Sequence, residues 1–411
     1  MLNDFDAVIR SVRPLTVRQT QQLPADVRRL FHYLTDERGA RRSGYLNETP
    51  VLTAYLYYYH WWNLVRLSSL FAGMPASAMP GADMPDGEEI VCADIGCGPL
   101  TVPTALWLSR PELRARKLTW YCVDTSQNAL SVGTDLFYAC AARAPSAAPR
   151  GEPWRIIKVK GSFGTELRKK ACFVSAANMF NEFVHEGVQP LEQTARRCAV
   201  QLDAYTLKAE SSAAAYRSRI FVAEPGIPQN ARFLSFLRAS LMKRRYEPVS
   251  PCPHGGVCAL DARRGGKWCH FVLDAPSAAP RALREFSKKA QLEKTRAAVS
   301  FVLMEYAPRG APRCADAVPE SVLLRAASDP IRLPRGQVGF YCCSRYGLAL
   351  LRTDAAHAAA IRSGDLLHVP VPAHETRDEK TGARVFELAA ASRGTEHTAA
   401  RGRRNVNEEH Y

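Results

Sequence analysis

The sequence predicts an α/β fold built on a parallel sheet. Short apolar runs at Ile90–Ala93, Leu118–Val123, Trp154–Val159, Cys172–Ala177 and Ile220–Ala223 alternate with helical stretches. Alternation of this kind implies parallel strands joined by right-handed helical crossovers. The first run leads directly into a glycine loop, Asp94-Ile-Gly96-Cys-Gly98-Pro99, that opens a helix. No segment offers the eighteen or so apolar residues that a membrane span needs.

The elements divide into five units. Residues 1–85 form an N-terminal helical domain, with amphipathic stretches from Leu23-Pro-Ala-Asp-Val and from Pro50 to Leu70. The second carries Tyr55, Tyr57, Tyr58, Tyr59, Trp61 and Trp62, a stripe that at helical spacing suits a core or docking face, with base stacking as the other possibility. Gly73–Gly87, rich in Pro, Gly, Met and Ala, is expected to be a linker. Residues 86–250 hold the five strands, with helices expected at Thr101–Ser109, from Gln127, at Leu191–Leu207 and at Ala231–Lys243; Arg143–Pro153 is expected as loop. Residues 251–310 contain a cysteine loop, a basic helix over Arg281–Thr295 and a return strand over Ala298–Tyr306. Residues 311–370 suit a small β-rich module, and 371–411 a disordered tail.

Charge and cysteine usage narrow the function. The 411-residue chain has a net charge of +15, which favours a polyanionic partner, most often nucleic acid. Lys158, Lys160, Lys243, Arg244, Arg245, Arg263, Arg264, Lys267, Lys288 and Lys289 are the candidate phosphate contacts. The start, Met-Leu-Asn-Asp-Phe-Asp, lacks the pattern of a secretory signal. A cytoplasmic protein is expected, in which thiols stay reduced, so the 12 cysteines are not a disulfide framework.

Glycines after a strand let the backbone approach a ligand, and the following helix N-terminus supplies free N–H groups. Asp124 ends the second strand, where a carboxylate accepts from both hydroxyls of a ribose. The pair Asp-x-Gly-x-Gly and Asp124 resembles class I S-adenosylmethionine (SAM)-dependent methyltransferases. That resemblance implies Asp94 near the methionine amino group and Gly96 and Gly98 beside the cofactor. Leu100 stands where a third glycine is usual, and is expected to narrow the cofactor pocket. The fourth strand ends Ala177-Asn178-Met-Phe-Asn181-Glu182, without the prolines of amino-methylating enzymes, and Cys172 sits at the start of a buried strand. No catalytic residue is identified. Asn178, Asn181 and Glu182 are candidates to line the pocket, and Glu182 alternatively caps the next helix.

The cysteine loop holds three thiols and two imidazoles within nineteen residues: Cys252, His254, Cys258, Cys269 and His270. Thiolates suit zinc or an iron–sulfur cluster, and the spacing is not the Cys-x2-Cys of ordinary zinc fingers. The fourth ligand is open among His254, His270, Cys314, Cys342 and Cys343. A radical mechanism is not expected, because its usual Cys-x3-Cys-x2-Cys motif is absent.

Further segments carry a second resemblance. Leu23-Pro-Ala-Asp-Val, Tyr45-Leu46, Ala54-Tyr55-Leu56 before Asn63, the glycine loop, Glu224-Pro225-Gly226, Cys252-Pro-His254 through Cys258, Trp268-Cys269-His270-Phe271, Gln337-Val-Gly-Phe-Tyr-Cys342-Cys343 and Ser363-Gly364-Asp365 occur in order from about residue 20 to 368. The chain resembles the methyltransferase-like assembly factors of the mitochondrial small ribosomal subunit and their bacterial relatives. The resemblance implies a class I methyltransferase (Rossmann-like) sheet with an N-terminal helical domain, an inserted cysteine loop and a small C-terminal β-rich module. It implies SAM bound by Asp94, Gly96, Gly98 and Asp124, and an iron–sulfur cluster, 4Fe-4S, on Cys252, Cys258, Cys269 and Cys343, with zinc as the alternative and Cys342 the adjacent choice. The implied partner is the small ribosomal subunit with its rRNA, with neither membrane nor DNA expected. The implied activity is rRNA methylation; the alternative is a catalytically inactive assembly factor that binds rRNA. Gln337 for His and Ala259 for Pro depart from the pattern without bearing on function.

Overall fold

The computed structural model describes residues 2–36, 44–143, 154–186, 189–208, 216–263, 266–308 and 320–388. The chain opens with helices α1 (Phe5–Val12) and α2 (Val17–Thr35). Helix α2 starts well before the expected Leu23 and runs through Pro24. Its start is fixed by a capping box: Gln19 N–H donates to Thr16 Oγ1 (3.2 Å), and Thr16 N–H donates to Gln19 Oε1 (2.9 Å). Helix α3 (Thr49–Ala54) passes into a π-helical stretch, Tyr55–His60, and then α4 (Trp61–Ala72). Tyr57, Tyr58, Trp61 and Trp62 are buried in the main core. Their polar atoms are used internally: Trp61 Nε1 donates to Leu2 O (3.1 Å) and Tyr58 O–H to Leu292 O (2.6 Å). The aromatic stripe is therefore core and not a base-stacking surface.

The expected linker at 73–87 is fixed in place. Ala78 and Met79 are buried, and Arg110 and Arg116 donate to the carbonyls of Met74 (3.0 Å) and Met84 (2.7 Å). The α/β unit follows as β1 (Ile90–Ile95), α5 (Thr101–Ser109), β2 (Leu118–Asp124), α6 (Gln127–Arg143), β3 (Arg155–Lys160), β4 (Phe173–Ala177), α7 (Phe180–Glu186), α8 (Leu191–Tyr205), β5 (Arg219–Pro225), α9 (Pro228–Met242) and β6 (Tyr246–Ser250). Next come β7 (Phe271–Asp274), α10 (Ala275–Ala278), the basic helix α11 (Arg281–Lys289) and β8 (Arg296–Tyr306).

The first sheet has eight strands in the order β3-β2-β1-β4-β5-β8-β6, and β7 also pairs with β8. Strands β1 to β5 are parallel, and β8 runs antiparallel between β5 and β6. This order is that of the class I methyltransferase sheet expected from the sequence. The N-terminal helices share one core with this sheet, from Phe5 through Trp120 to Leu303.

The far edge of the sheet is split. Strand β6 pairs with the stretch Leu303–Tyr306 of β8, and β7 with Arg296–Val299. The cysteine loop is the excursion between these two halves. Ser300, at the gap, donates its hydroxyl to the Cys269 carbonyl (2.7 Å).

The C-terminal module is a six-stranded sheet of β9 (Ser321–Ala326), β10 (Ile331–Arg332), β11 (Val338–Ser344), β12 (Gly347–Thr353), β13 (Leu366–Pro370) and β14 (Arg384–Glu387), with a short helix α12 (Ala355–Ala358). Its order is β13-β9-β11-β12-β14, with β10 on β11. The tail expected from residue 371 is thus corrected for residues 371–388, because β14 pairs in parallel with β12 and buries Val385 and Phe386. Residues 389–411 lie outside the described residues, as do 144–153 of the expected loop and Cys314.

Leu100 does not narrow the cofactor loop. It is fully buried, and its Cδ1 packs against Gly133 of α6. It holds a left-handed backbone at φ 58°. Leu100→Gly relieves a strain of about 1 kcal/mol. It also removes a buried leucine side chain, which costs about 2–5 kcal/mol. The expected result is a net loss of stability of about 2 kcal/mol, read as a lower denaturation midpoint; an unchanged or higher midpoint contradicts it.

Candidate functional site

The carboxyl ends of β1 and β2 build the first site. Asp94 is buried at the end of β1 and accepts from Ser175 Oγ at Oδ1 (2.7 Å). Its other oxygen, Oδ2, is buried without a hydrogen-bond partner among the described residues. Burial, with the Asp124 charge adding to it, pushes the Asp94 carboxyl up to about 7. Asp124 ends β2 and holds the glycine loop: Gly98 N–H donates to Oδ2 and Ser126 N–H to Oδ1, both at 2.8 Å.

Gly96 and Gly98 have φ of 64° and 51°, a backbone that glycine adopts freely. A Cβ on Gly98 would meet nothing within 4 Å, so space opens in front of it. A Cβ on Gly96 would lie 2.5 Å from Met179 Sδ, so the methionine covers that glycine. The N-terminal region closes over this crevice. Ser126 Oγ donates to Asn47 Oδ1 (2.9 Å), and Asn128 Nδ2 to Asn47 O (2.7 Å). Tyr55 is pushed up to about 12 by burial and by the charges of Asp124 and Glu182.

The ends of β4 and β5 are tied together by Glu224. This carboxylate is fully buried and accepts from Phe180 N–H (2.7 Å), Asn181 N–H (3.2 Å) and Asn181 Nδ2 (3.2 Å). Glu224, and not the expected Glu182, satisfies the first turn of α7. Burial raises its carboxyl to about 8, against those donors. Asn178 holds a left-handed backbone (φ 57°) and its carbonyl accepts from Asn181 Nδ2 (2.8 Å). Arg66 of α4 donates to Asn63 Oδ1, to Asn178 Oδ1 (3.4 Å) and to Ala298 O (2.9 Å). Sequence reasoning missed Ser175, Arg66 and the role of Glu224; a lone carboxylate ending the apolar run Ile220–Ala223 was the available signal for the last.

The cysteine loop folds against α9 and the C-terminal sheet. Cys343 lies on β11 opposite Arg325 of β9, and both reach toward the loop. Cys343 packs in a small cluster with Leu260, Cys258 and Cys269, whereas Cys342 faces the other side, into the core of the C-terminal module. Burial pushes the Cys343 thiol well above the ordinary thiol range, and the charges of Cys252 and Cys258 push it further. The Cys269 thiol is raised by burial, then by Cys252, Cys258 and Cys343. The structure thus gathers Cys252, Cys258, Cys269 and Cys343 in one region and leaves Cys342 out. Among the described residues, no group of three or more His, Cys, Asp or Glu side chains stands close enough to hold a metal ion as it is.

His254 and two arginines border this region. His254 Nε2 lies 3.2 Å from Cys343 Sγ, and its Nδ1 accepts from Gly256 N–H (3.0 Å). Arg238 donates to the carbonyls of Gly256 (2.9 Å) and His254 (2.6 Å). Arg325 donates to the carbonyls of Pro251 (2.7 Å) and Gly364 (2.7 Å). His270 turns away from the thiols, stacks on Trp268 and points Nδ1 at the Trp268 carbonyl (3.1 Å).

Several of the basic candidates are engaged. Arg244 pairs with Asp203 (3.2 Å), Arg263 with Asp261, and Arg245 with the Tyr306 hydroxyl. Lys267 Nζ sits 3.7 Å from the Tyr341 ring centroid. Lys158 and Lys160 lie on the edge strand β3, and Lys288 and Lys289 end α11. Arg264 lies outside the described residues.

Several solved structures similar to the chain are named as methyltransferases. A Listeria monocytogenes protein described as a class I SAM-dependent methyltransferase is 11% identical, over 74% of this chain and 92% of its own, with a TM-score of 0.34. A Pyrococcus horikoshii protein described as an RNA methyltransferase is 12% identical, over 61% and 83%, with a TM-score of 0.29. A plantazolicin methyltransferase solved with S-adenosylhomocysteine is 9% identical, over 70% and 97%, with a TM-score of 0.31. At these scores the fold rests on the strand order above. No curated protein matches the chain. Among the described residues no helix is long and apolar enough to cross a membrane. Residues 206–304, which span β5, the cysteine loop and β8, match the family described as mitochondrial small ribosomal subunit Rsm22. The chain therefore resembles that family, over the stretch that includes Cys252, Cys258 and Cys269.

Proposed function

We propose that this chain is a SAM-binding, methyltransferase-like protein of the small ribosomal subunit that methylates rRNA and carries an iron–sulfur cluster. The observation that carries the SAM reading is the orphaned, buried Oδ2 of Asp94. A buried carboxylate oxygen without a donor is costly, and a cationic amino group presented there would offset the cost. Asp124 is the carboxylate for the ribose hydroxyls, and Gly98 leaves the open space beside it. SAM supplies an electrophilic methyl group when bound. Asp94 would hold its amino end.

The donor set of the cysteine region supports the cluster. Four thiols with two neighbouring guanidiniums, Arg238 and Arg325, suit a soft, negatively charged centre, because the arginines offset thiolate charge. Cys252, Cys258, Cys269 and Cys343 are the proposed ligands, with 4Fe-4S preferred to zinc. A bound centre would tie the split sheet edge to the C-terminal module through these four residues.

The second reading, a catalytically inactive assembly factor that binds rRNA, is favoured by the end of β4. It presents the amides Asn178 and Asn181, and the nearby Glu224 spends its oxygens on α7. Mass mapping of small-subunit rRNA from a deletion strain separates the two. One missing methyl group is expected for the enzyme. Complete methylation with accumulated precursor subunits leaves only the assembly role.

A further inference from the structure

Two cavities lie beyond the carboxyl end of β5 and are neighbours, because Gly226, Arg296 and Ala298 line both. The first, of about 350 Å³, is lined by Trp62, Arg66, Glu293 and Lys294. Lys294 Nζ hangs over the rings of Tyr58 (5.2 Å) and Trp62 (5.3 Å). Among the described residues, neither Lys294 nor Arg66 forms a salt bridge with a carboxylate, while Arg296 is paired with Asp329 (2.8 Å). Glu293 lines the same cavity but is exposed. Burial and the Arg66 charge lower Lys294 to about 7. Two desolvated cations side by side cost stability, and a purely structural role would be better met by apolar side chains. An anion bound between them would offset that cost.

The second cavity, of about 500 Å³, supplies a different surface. Trp268 and His270 stack at 4.7 Å and 19° along one wall. Trp268 is held in place by its Nε1 donating to the Gly226 carbonyl (3.0 Å). Lys267 lines the same cavity. A cationic recess adjoining an aromatic face is the arrangement that binds single-stranded nucleic acid, phosphate in one part and base in the other. The track begins beside Asn178 and Gly226, at the strand ends where ligands of parallel α/β sheets bind.

We propose that these cavities form one track for single-stranded RNA, with a backbone phosphate between Lys294 and Arg66 and a base against Trp268 and His270. The proposal rests on the RNA-directed reading above and specifies where the strand lies. Fluorescence anisotropy with a labelled single-stranded RNA of about eight nucleotides tests it. Lys294→Met is expected to weaken binding roughly 10-fold and to make the salt dependence shallower by about 0.7 in log–log slope. Lys294→Arg retains the wild-type affinity and slope. Unchanged SAM affinity in both variants verifies that the fold is intact. An oligonucleotide of the same length with abasic sites binds about 5-fold more weakly or worse. Equal RNA affinity and slope in Lys294→Met overturn the proposal and leave the ribosomal reading standing. A cavity that serves a free mononucleotide binds cytidine monophosphate as tightly as the oligonucleotide, which also overturns it. Equal affinity for the abasic strand overturns the placement of the base. Wild-type protein that binds no RNA sinks this proposal and the RNA-directed reading together.

Discussion

Asp94→Asn is expected to abolish measurable SAM binding while making the unliganded protein more stable above pH 7. The asparagine keeps the shape and the Ser175 contact but presents no charge to the amino group. Losing one member of a buried charge pair costs about 3–5 kcal/mol, so titration calorimetry reads an affinity drop on the order of 100-fold or more. The stability effect has the opposite sign. The folded pKa of Asp94, about 7, lies above the ordinary value of 3.8. The folded protein therefore holds an extra proton between these values, and stability falls as pH rises through that window. Above pH 7 the penalty is nearly fully present, on the order of 4 kcal/mol, and the asparagine removes it. Wild-type SAM affinity rises with pH up to about 7, as Asp94 ionises, and falls again above about 8, where a free α-amino group loses its proton. A variant with near-wild-type affinity, or one less stable at pH 8 than wild type, refutes the role given to Asp94.

Protein purified without oxygen is expected to be brown, with about four irons and four labile sulfides per chain. Cys252→Ser and Cys269→Ser are each expected to lose that colour, to drop the thermal midpoint by at least about 5 °C and to stop co-sedimenting with small subunits. Cys343→Ser behaves like them. Cys342→Ser keeps its iron, because that thiol faces the core of the other side of β11. Colourless protein with one zinc per chain replaces the cluster with a zinc site. Full iron content in Cys343→Ser, or its loss in Cys342→Ser, reverses the assignment of the fourth ligand.

Much of the α/β unit was legible in the sequence because β1, β2, β4 and β5 are buried on both faces and read as apolar runs bounded by glycine, proline and charge. The five strands from Ile90 to Pro225 lie within two residues of expectation, and Thr101–Ser109 agrees at both ends. Elements that depend on distant partners were not legible. Strand β7 reads as part of the cysteine motif, since Phe271–Asp274 becomes a strand only by pairing with β8. Strand β14 sits in a polar stretch and owes its existence to β12. The direction of Leu100 was misjudged for a related reason: a residue in a glycine's usual place suggests obstruction, but its left-handed backbone sends the side chain into the core. The cysteines were visible as a density of ligand-type residues. Which of Cys342 and Cys343 faces the loop follows from strand alternation, and that needs the register of β11 against β9.

The divided outer strand has a bearing on solubility. A continuous β6–β7 ribbon would present a long row of free amides and carbonyls, a template onto which another chain can add. Here the row is cut where Ser300–Val302 of β8 pass between the two short halves, and the chain bulges outward at that point to be roofed by β9 and β11. The excursion that carries the thiols thus also blunts this margin of the sheet. Damage that unravels it is expected to expose a sticky flank, so self-association should accompany any loss of its cross-link.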